Sequence, residues 1–345
     1  MRALRVLTAT SLLATLAALA PGGTLAATPI PAHVYSPYFE TWTTDSLTTT
    51  AQQSGARYFT MAFLETTSKT SCTLVWNGDK ARGLTANPVP YATDIAGLRG
   101  LGGDVIPSFG GWSADQGGTE IGDSCSNVNT IAAAYEQVVT TYDVTRLDMD
   151  IEGRSLTKTD GIDRRNKAIK ILQDWAVAHG RTLTISYTLP TSRSGLEASG
   201  LAVIQNAFNN GVRIDIVQPM VFDYYDRATG AAADMGASAI SAVQGLNAQL
   251  APYLPGLTPA QRYAHIGATI MNGLDDYPRR TESTSVSDAT DLRDFAVANG
   301  MSVLSMWAIQ RDHGGCDGVT GANNCSGIPQ ADWEFTTNLK GFTGP

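Results

Sequence analysis

Apolar residues recur along this chain in short strand-like runs, separated by stretches in which they return at helical spacing. The runs fall at 33–39, 58–64, 105–109, 146–151, 182–188, 214–222, 264–271 and 303–307. The clearest helix is predicted over 163–179. There Ala168, Leu172, Trp175, Ala176 and His179 share one stripe and Gly180 supplies the stop. A second is predicted over 287–299, with Leu292, Phe295 and Ala296 inward, Ser287 as N-cap and Gly300 as terminator. Eight strand-plus-helix units at a spacing of about 40 residues predict an α/β fold of the (β/α)8, or TIM-barrel, type. Gly230–Gly236 reads as a loop between units.

The N-terminus changes this picture only at its edge. Arg2 and Arg5 precede an apolar stretch from Val6 to Ala20, followed by Pro21-Gly22-Gly23 and small residues at Ala26 and Ala27. That is the layout of a secretion signal, so residues 1–27 are expected to be removed and the product to be extracellular. Residues 28–345 are then expected to form one barrel domain, since no Pro/Ser-rich linker divides them. No later apolar run reaches the length a membrane span needs. A net charge of −8 and the lack of any Lys/Arg cluster argue against a nucleic-acid partner. Four cysteines in an exported chain point to disulfides. Cys316 and Cys325 bracket a short Gly/Asn-rich loop and read as one pair, leaving Cys72 with Cys125. Their spacing does not suit zinc, the four histidines are scattered, and neither metal nor cofactor is expected.

The candidate chemistry lies in Leu147-Asp148-Met149-Asp150-Ile151-Glu152-Gly153. On an extended strand, residues two apart share a face, so the three acids project to one side and the three apolar residues to the other. Acids this close repel, and at least one should retain its proton near neutral pH. The run would be the fourth barrel strand, with Glu152 at the C-terminal end, where barrels of this kind carry their catalytic groups.

With these residues in place, the chain resembles the chitinases of glycoside hydrolase family 18. The family's strand-four signature D-x-x-D-x-D-x-E is matched by Asp148, Asp150 and Glu152, with Thr145 at the first position. Its strand-three S-x-G-G is matched by Ser108-Phe109-Gly110-Gly111, followed by Trp112. Strand six is matched by Met220-Val221-Phe222-Asp223-Tyr224, with Gln218 two residues before the Met. Strand eight is matched by Trp307, and strand one by Tyr38-Phe39 with Trp42 nearby.

The resemblance implies a secreted, monomeric enzyme that cleaves β-1,4-linked N-acetylglucosamine in chitin or chitooligosaccharides. Glu152 would be the general acid, and the substrate's own acetamido oxygen the nucleophile. Asp150 would stabilise the resulting oxazolinium ion, and Asp148 would set the charge state of Asp150. Trp307, Met220, Asp223, Tyr224, Gln218, Tyr38, Ser108, Gly111 and Trp112 would contact or shape the sugar site. Two departures stand out. Thr145 replaces an outer acid, and Phe222 stands where many relatives carry a tyrosine, whose role would fall to Tyr224 or Gln218. The alternatives are an endo-β-N-acetylglucosaminidase acting on N-glycan cores and a non-catalytic carbohydrate-binding barrel. The presence of Glu152 speaks against the second.

Overall fold

The computed structural model describes residues 26–225, 234–276 and 282–344. The expected signal at 1–27 lies almost wholly outside the described residues, as does most of the predicted Gly230–Gly236 loop. Among the described residues no helix is long and apolar enough to cross a membrane.

Eight parallel strands form the barrel. β1 is broken into Val34–Tyr35 and Tyr38–Glu40, and the others are β2 (Tyr58–Thr66), β3 (Asp104–Gly110), β4 (Arg146–Asp150), β5 (Thr184–Ser192), β6 (Ile216–Met220), β7 (Gly267–Met271) and β8 (Val303–Trp307). Each overlaps one of the eight apolar runs. The two halves of β1 pair with different neighbours, the first with β8 and the second with β2, and so the sheet curls round on itself. Pro37 sits at the break; it has no N–H to give the ladder, although its carbonyl accepts the Thr60 N–H at 2.9 Å.

The helical layer comprises α1 (Leu47–Ser54), α2 (Ala92–Gly100), α3 (Trp112–Gly117), α4 (Ile121–Ser124), α5 (Val128–Tyr142), α6 (Thr159–Ala178), α7 (Ala198–Asn209), α8 (Met235–Gln249), α9 (Pro259–Arg262), α10 (Val286–Asn299) and α11 (Glu334–Leu339). Alternation on β4 works as the sequence predicts: Leu147 and Met149 join the main core with Val138 of α5 and Leu172 of α6, leaving the acids on the barrel side.

Two local readings need correction. The helix after β7 is capped by Ser285 rather than Ser287, because Ser285 and Asp288 close a reciprocal capping box that starts the helix two residues earlier. On α6, His179 is exposed just past the helix end and packs on the Trp175 ring instead of entering the core. Among the described residues between β7 and β8 lie a short hairpin, Gly273–Leu274 with Ser283–Thr284, and α10. Both disulfides have the expected pairing, Cys72–Cys125 and Cys316–Cys325. The first ties the loop after β2 to the segment after β3, at the end of the barrel where Glu152 emerges.

Candidate active site

A cleft of about 650 Å³ opens at the C-terminal end of the strands. Of the residues singled out from sequence, Tyr38, Trp112, Asp150, Glu152, Met220, Asp223 and Trp307 line it. Its floor is aromatic. Phe63 stacks on Trp307 with ring centroids 5.5 Å apart and planes 13° from parallel, while Tyr38 and Trp42 meet Trp307 at 5.5 and 6.0 Å. Trp112 is 57 % exposed at the rim, an apolar face offered to a ligand.

The acids of β4 occupy three different environments. Asp148 lies below the cleft and is saturated: Tyr38 Oη, Ser108 Oγ, Ser186 Oγ and Thr188 Oγ1 donate to it at 2.9, 2.7, 2.7 and 2.8 Å. Burial raises its pKa and those four hydroxyls oppose the rise. Asp150 has no such shell. One of its oxygens is buried without a partner, and burial, then Glu152, Asp148 and Asp115, push its pKa well above the usual range. Glu152 is raised to about 7, first by burial and then by Asp276, against the Trp112 N–H that donates to its carboxylate. Burial thus raises all three acids, and only Asp148 has a shell of hydroxyl donors that opposes the rise.

Other residues expected at the site lie beneath it. Ser108 is a donor to Asp148 and does not reach the cleft. Gln218 is one layer down, donating to Thr269 Oγ1 at 2.6 Å. The glycines of the S-x-G-G run make room for protein rather than for ligand or for Asp148. A Cβ on Gly110 would lie 2.2 Å from the Asp150 carbonyl oxygen, and one on Gly111 2.5 Å from the Phe63 ring. Both also have positive φ, at 94° and 79°. Thr145 precedes β4 at the opposite end of the barrel and takes no part in the site.

Tyr224 is the clearest correction. It is buried under the Arg193 guanidinium, 4.4 Å above its ring, and its N–H donates to Glu282. Tyr225, 55 % exposed, lines the cleft instead, with its hydroxyl bonded to Asp223 and within the field of Glu152. The backbone leaves the strand conformation here, since Asp223 and Tyr225 both adopt left-handed backbone, φ 50° and 58°. The strand-six motif of the resemblance therefore names Tyr224 where the cleft holds Tyr225.

Asp276, Glu65, Asn77 and Phe63 also line the cleft and carried no sequence signal. Asp223, Asp275 and Glu282 bring carboxylate oxygens within 4.8 Å of one another, a grouping that could hold a cation. Burial pushes Asp223 up to about 9 and Asp275 up to about 8, so shared protons, together with Arg193 3.7 Å from Glu282, relieve the repulsion.

Residues 34–312 match the model of the glycosyl hydrolases family 18. The chain belongs to that family. It is 32 % identical over 289 residues to a probable bifunctional chitinase/lysozyme of Escherichia coli (strain K12), covering 82 % of this chain and 31 % of the relative. It is 31 % identical over 290 residues to endochitinase 11 of Metarhizium anisopliae, covering 82 % of this chain and 53 % of the relative. The chain thus spans about a third to a half of the length of these relatives. Among solved structures, the catalytic domain of a hyperthermophilic chitinase from Pyrococcus furiosus superposes with a TM-score of 0.78 at 29 % identity, covering 92 % of this chain and 96 % of that one. Catalytic-site mutants of active domain 2 of the thermostable chitinase from the same organism, complexed with chito-oligosaccharides, match at 28 % identity and a TM-score of 0.78. This chain is a family-18 member with a (β/α)8 barrel.

Proposed function

We propose that this family-18 hydrolase cleaves β-1,4-linked N-acetylglucosamine chains with retention of configuration, using the substrate's acetamido group as nucleophile. One observation carries the reading. A single carboxyl poised to donate near pH 7, Glu152, stands beside a buried acid, Asp150, with an unpartnered oxygen, above a stacked aromatic floor. The crystallised chito-oligosaccharide complexes of the Pyrococcus relative support the substrate class.

In this scheme the sugar at the cleavage point rests on Trp307. Glu152 transfers its proton to the glycosidic oxygen as that bond breaks. The acetamido carbonyl oxygen attacks the anomeric carbon from the opposite face, giving a cyclic oxazolinium ion, a reaction that gains from the high effective concentration of an internal nucleophile. The acetamido N–H meets the free oxygen of Asp150, whose proton affinity drops as positive charge builds on the ring. Asp148, fixed by four hydroxyls, keeps a negative field beneath Asp150 throughout. Glu152, now ionised, takes a proton from the water that opens the ring. The Tyr225 hydroxyl replaces the one that Phe222 lacks. Export to an oxidising compartment is part of the same proposal, supported by the leader-like N-terminus and by two disulfides.

Time-resolved NMR of chitooligosaccharide hydrolysis tests the mechanism. Two inversions give the β-anomer first; the α-anomer first would refute substrate assistance. Glu152→Gln removes the transferable proton and should lower turnover by several orders of magnitude while oligosaccharides still bind. Parallel assays on colloidal chitin and on a high-mannose glycoprotein separate chitinase action from cleavage of N-glycan cores. N-terminal sequencing of protein collected from the medium tests export.

A further inference from the structure

Asp115 is a buried acid that the scheme above leaves unused. It lies on α3, the short helix that begins at Trp112, and it is fully covered. Two hydrogen bonds join this helix to Glu152. The Trp112 N–H donates to the Glu152 carboxylate, and the Glu152 N–H donates to Asp115 Oδ2.

The second bond fills a gap in the sheet. β4 ends at Asp150, and the last ladder-like bond beyond it runs from the Ile151 N–H to the Thr188 carbonyl at 3.0 Å. Glu152 continues in extended backbone, φ −131° and ψ 178°, with no strand to receive its N–H. Asp115 supplies the missing acceptor. α3 also sits tightly on the turn that follows, since a Cβ on Gly153 would come within 2.3 Å of Gln116 Nε2. Behind Asp115, Arg165 forks onto Glu120 at 3.2 and 2.6 Å. The charged groups facing Asp115 are therefore Glu120 and Arg165 on one side and Asp150 and Glu152 on the other.

We propose that Asp115 is a positioning residue for the general acid: by accepting the Glu152 N–H it fixes the direction in which the Glu152 side chain leaves the end of β4, and hence the line of proton delivery. This rests on Glu152 being the acid. A carboxyl displaced by about 1 Å from its productive line loses about 10²-fold in rate, so the effect falls on kcat and not on binding.

Three variants, assayed on a fluorogenic chitooligosaccharide, test the inference. Asp115→Ala removes the acceptor and should lower kcat about 10²-fold with KM little changed. Asp115→Asn keeps a carbonyl oxygen in place and should restore most of kcat. Glu120→Gln disturbs the ion pair behind Asp115 and should lower the melting temperature while leaving kcat near wild type. Wild-type kcat in Asp115→Ala, an Asn variant as poor as the Ala variant, or an equal kcat loss in Glu120→Gln would each overturn the inference.

Should Asp115→Ala not fold, selective ¹⁵N-glutamate labelling reads the bond in Asp115→Asn. The Glu152 amide, identified by its loss in Glu152→Gln, should shift yet stay protected from exchange, and an unmoved resonance counts against the bond. The two readings fail separately. An active Glu152→Gln removes the mechanism itself, whereas an inactive Glu152→Gln beside a fully active Asp115→Ala removes only the role of Asp115.

Discussion

Glu152 must carry a proton to act as an acid, and its surroundings decide how often it does. A glutamic acid at the ordinary 4.5 would be protonated in about 0.3 % of molecules at pH 7, whereas one raised to about 7 is protonated in about half of them. The cleft therefore multiplies the competent form by about 150. Burial is the first cause and Asp276 the second, and only the second can be removed without reshaping the site. A facing charge at 4–6 Å moves a carboxyl by roughly 1–3 pH units, and Asp276 is exposed, so screening places it at about one. Asp276→Asn should thus bring the alkaline limb of kcat/KM down from about pH 7 toward about pH 6. Activity at pH 8 should then be about tenfold below wild type, with the two enzymes converging near pH 5. The assay is hydrolysis of a fluorogenic chitooligosaccharide from pH 4 to 9 at constant ionic strength. An alkaline limb that stays in place, or moves to higher pH, would refute the assignment of Asp276 as the charge that holds the proton on Glu152.

Stability should fall as pH rises above neutrality. Glu40 and Glu152 are raised to about 7, Asp275 to about 8 and Asp223 to about 9, burial being the first cause in each. In that window the native state binds more protons than the unfolded chain, so unfolding free energy declines with pH. The melting temperature should drop between pH 6 and 9. Glu40→Gln should flatten the first part of that decline, because both Glu40 carboxylate oxygens are buried without a partner; a melting temperature that rises over this range would contradict the sign. Tyr38→Phe removes one of the four donors to Asp148 and should cost about 1.5–3 kcal/mol in urea unfolding; no change would mean the remaining hydroxyls suffice. The disulfides should differ by loop length. Replacing both cysteines of Cys72–Cys125, 53 residues apart, should cost about 4 kcal/mol, and of Cys316–Cys325, 9 apart, about 2.6 kcal/mol. The reverse ranking in denaturant titrations would show that the loops are already ordered in the unfolded chain.

Regular structure made much of this molecule legible in its sequence. The strand period of two placed Asp148 and Asp150 on the barrel side of β4 and Leu147 and Met149 in the core, and short apolar runs located all eight strands. The cysteines paired as their spacing suggested. The reading failed where the backbone leaves a repeating conformation. Past Met220 the left-handed residues Asp223 and Tyr225 exchange the places of two adjacent tyrosines. The two glycines after β3 proved to serve the approach of the Asp150 carbonyl and the Phe63 ring, contacts across 40 and 48 positions of chain. Asp115 on α3 and Asp276 after β7 act on Glu152 from separate segments, and neither has a local pattern to announce it. Local periodicity fixes which face of an element a side chain occupies, because that depends only on the geometry of successive residues. The proton affinity of Glu152 depends on burial and on charges brought in from distant segments, and only the closed barrel sets those distances.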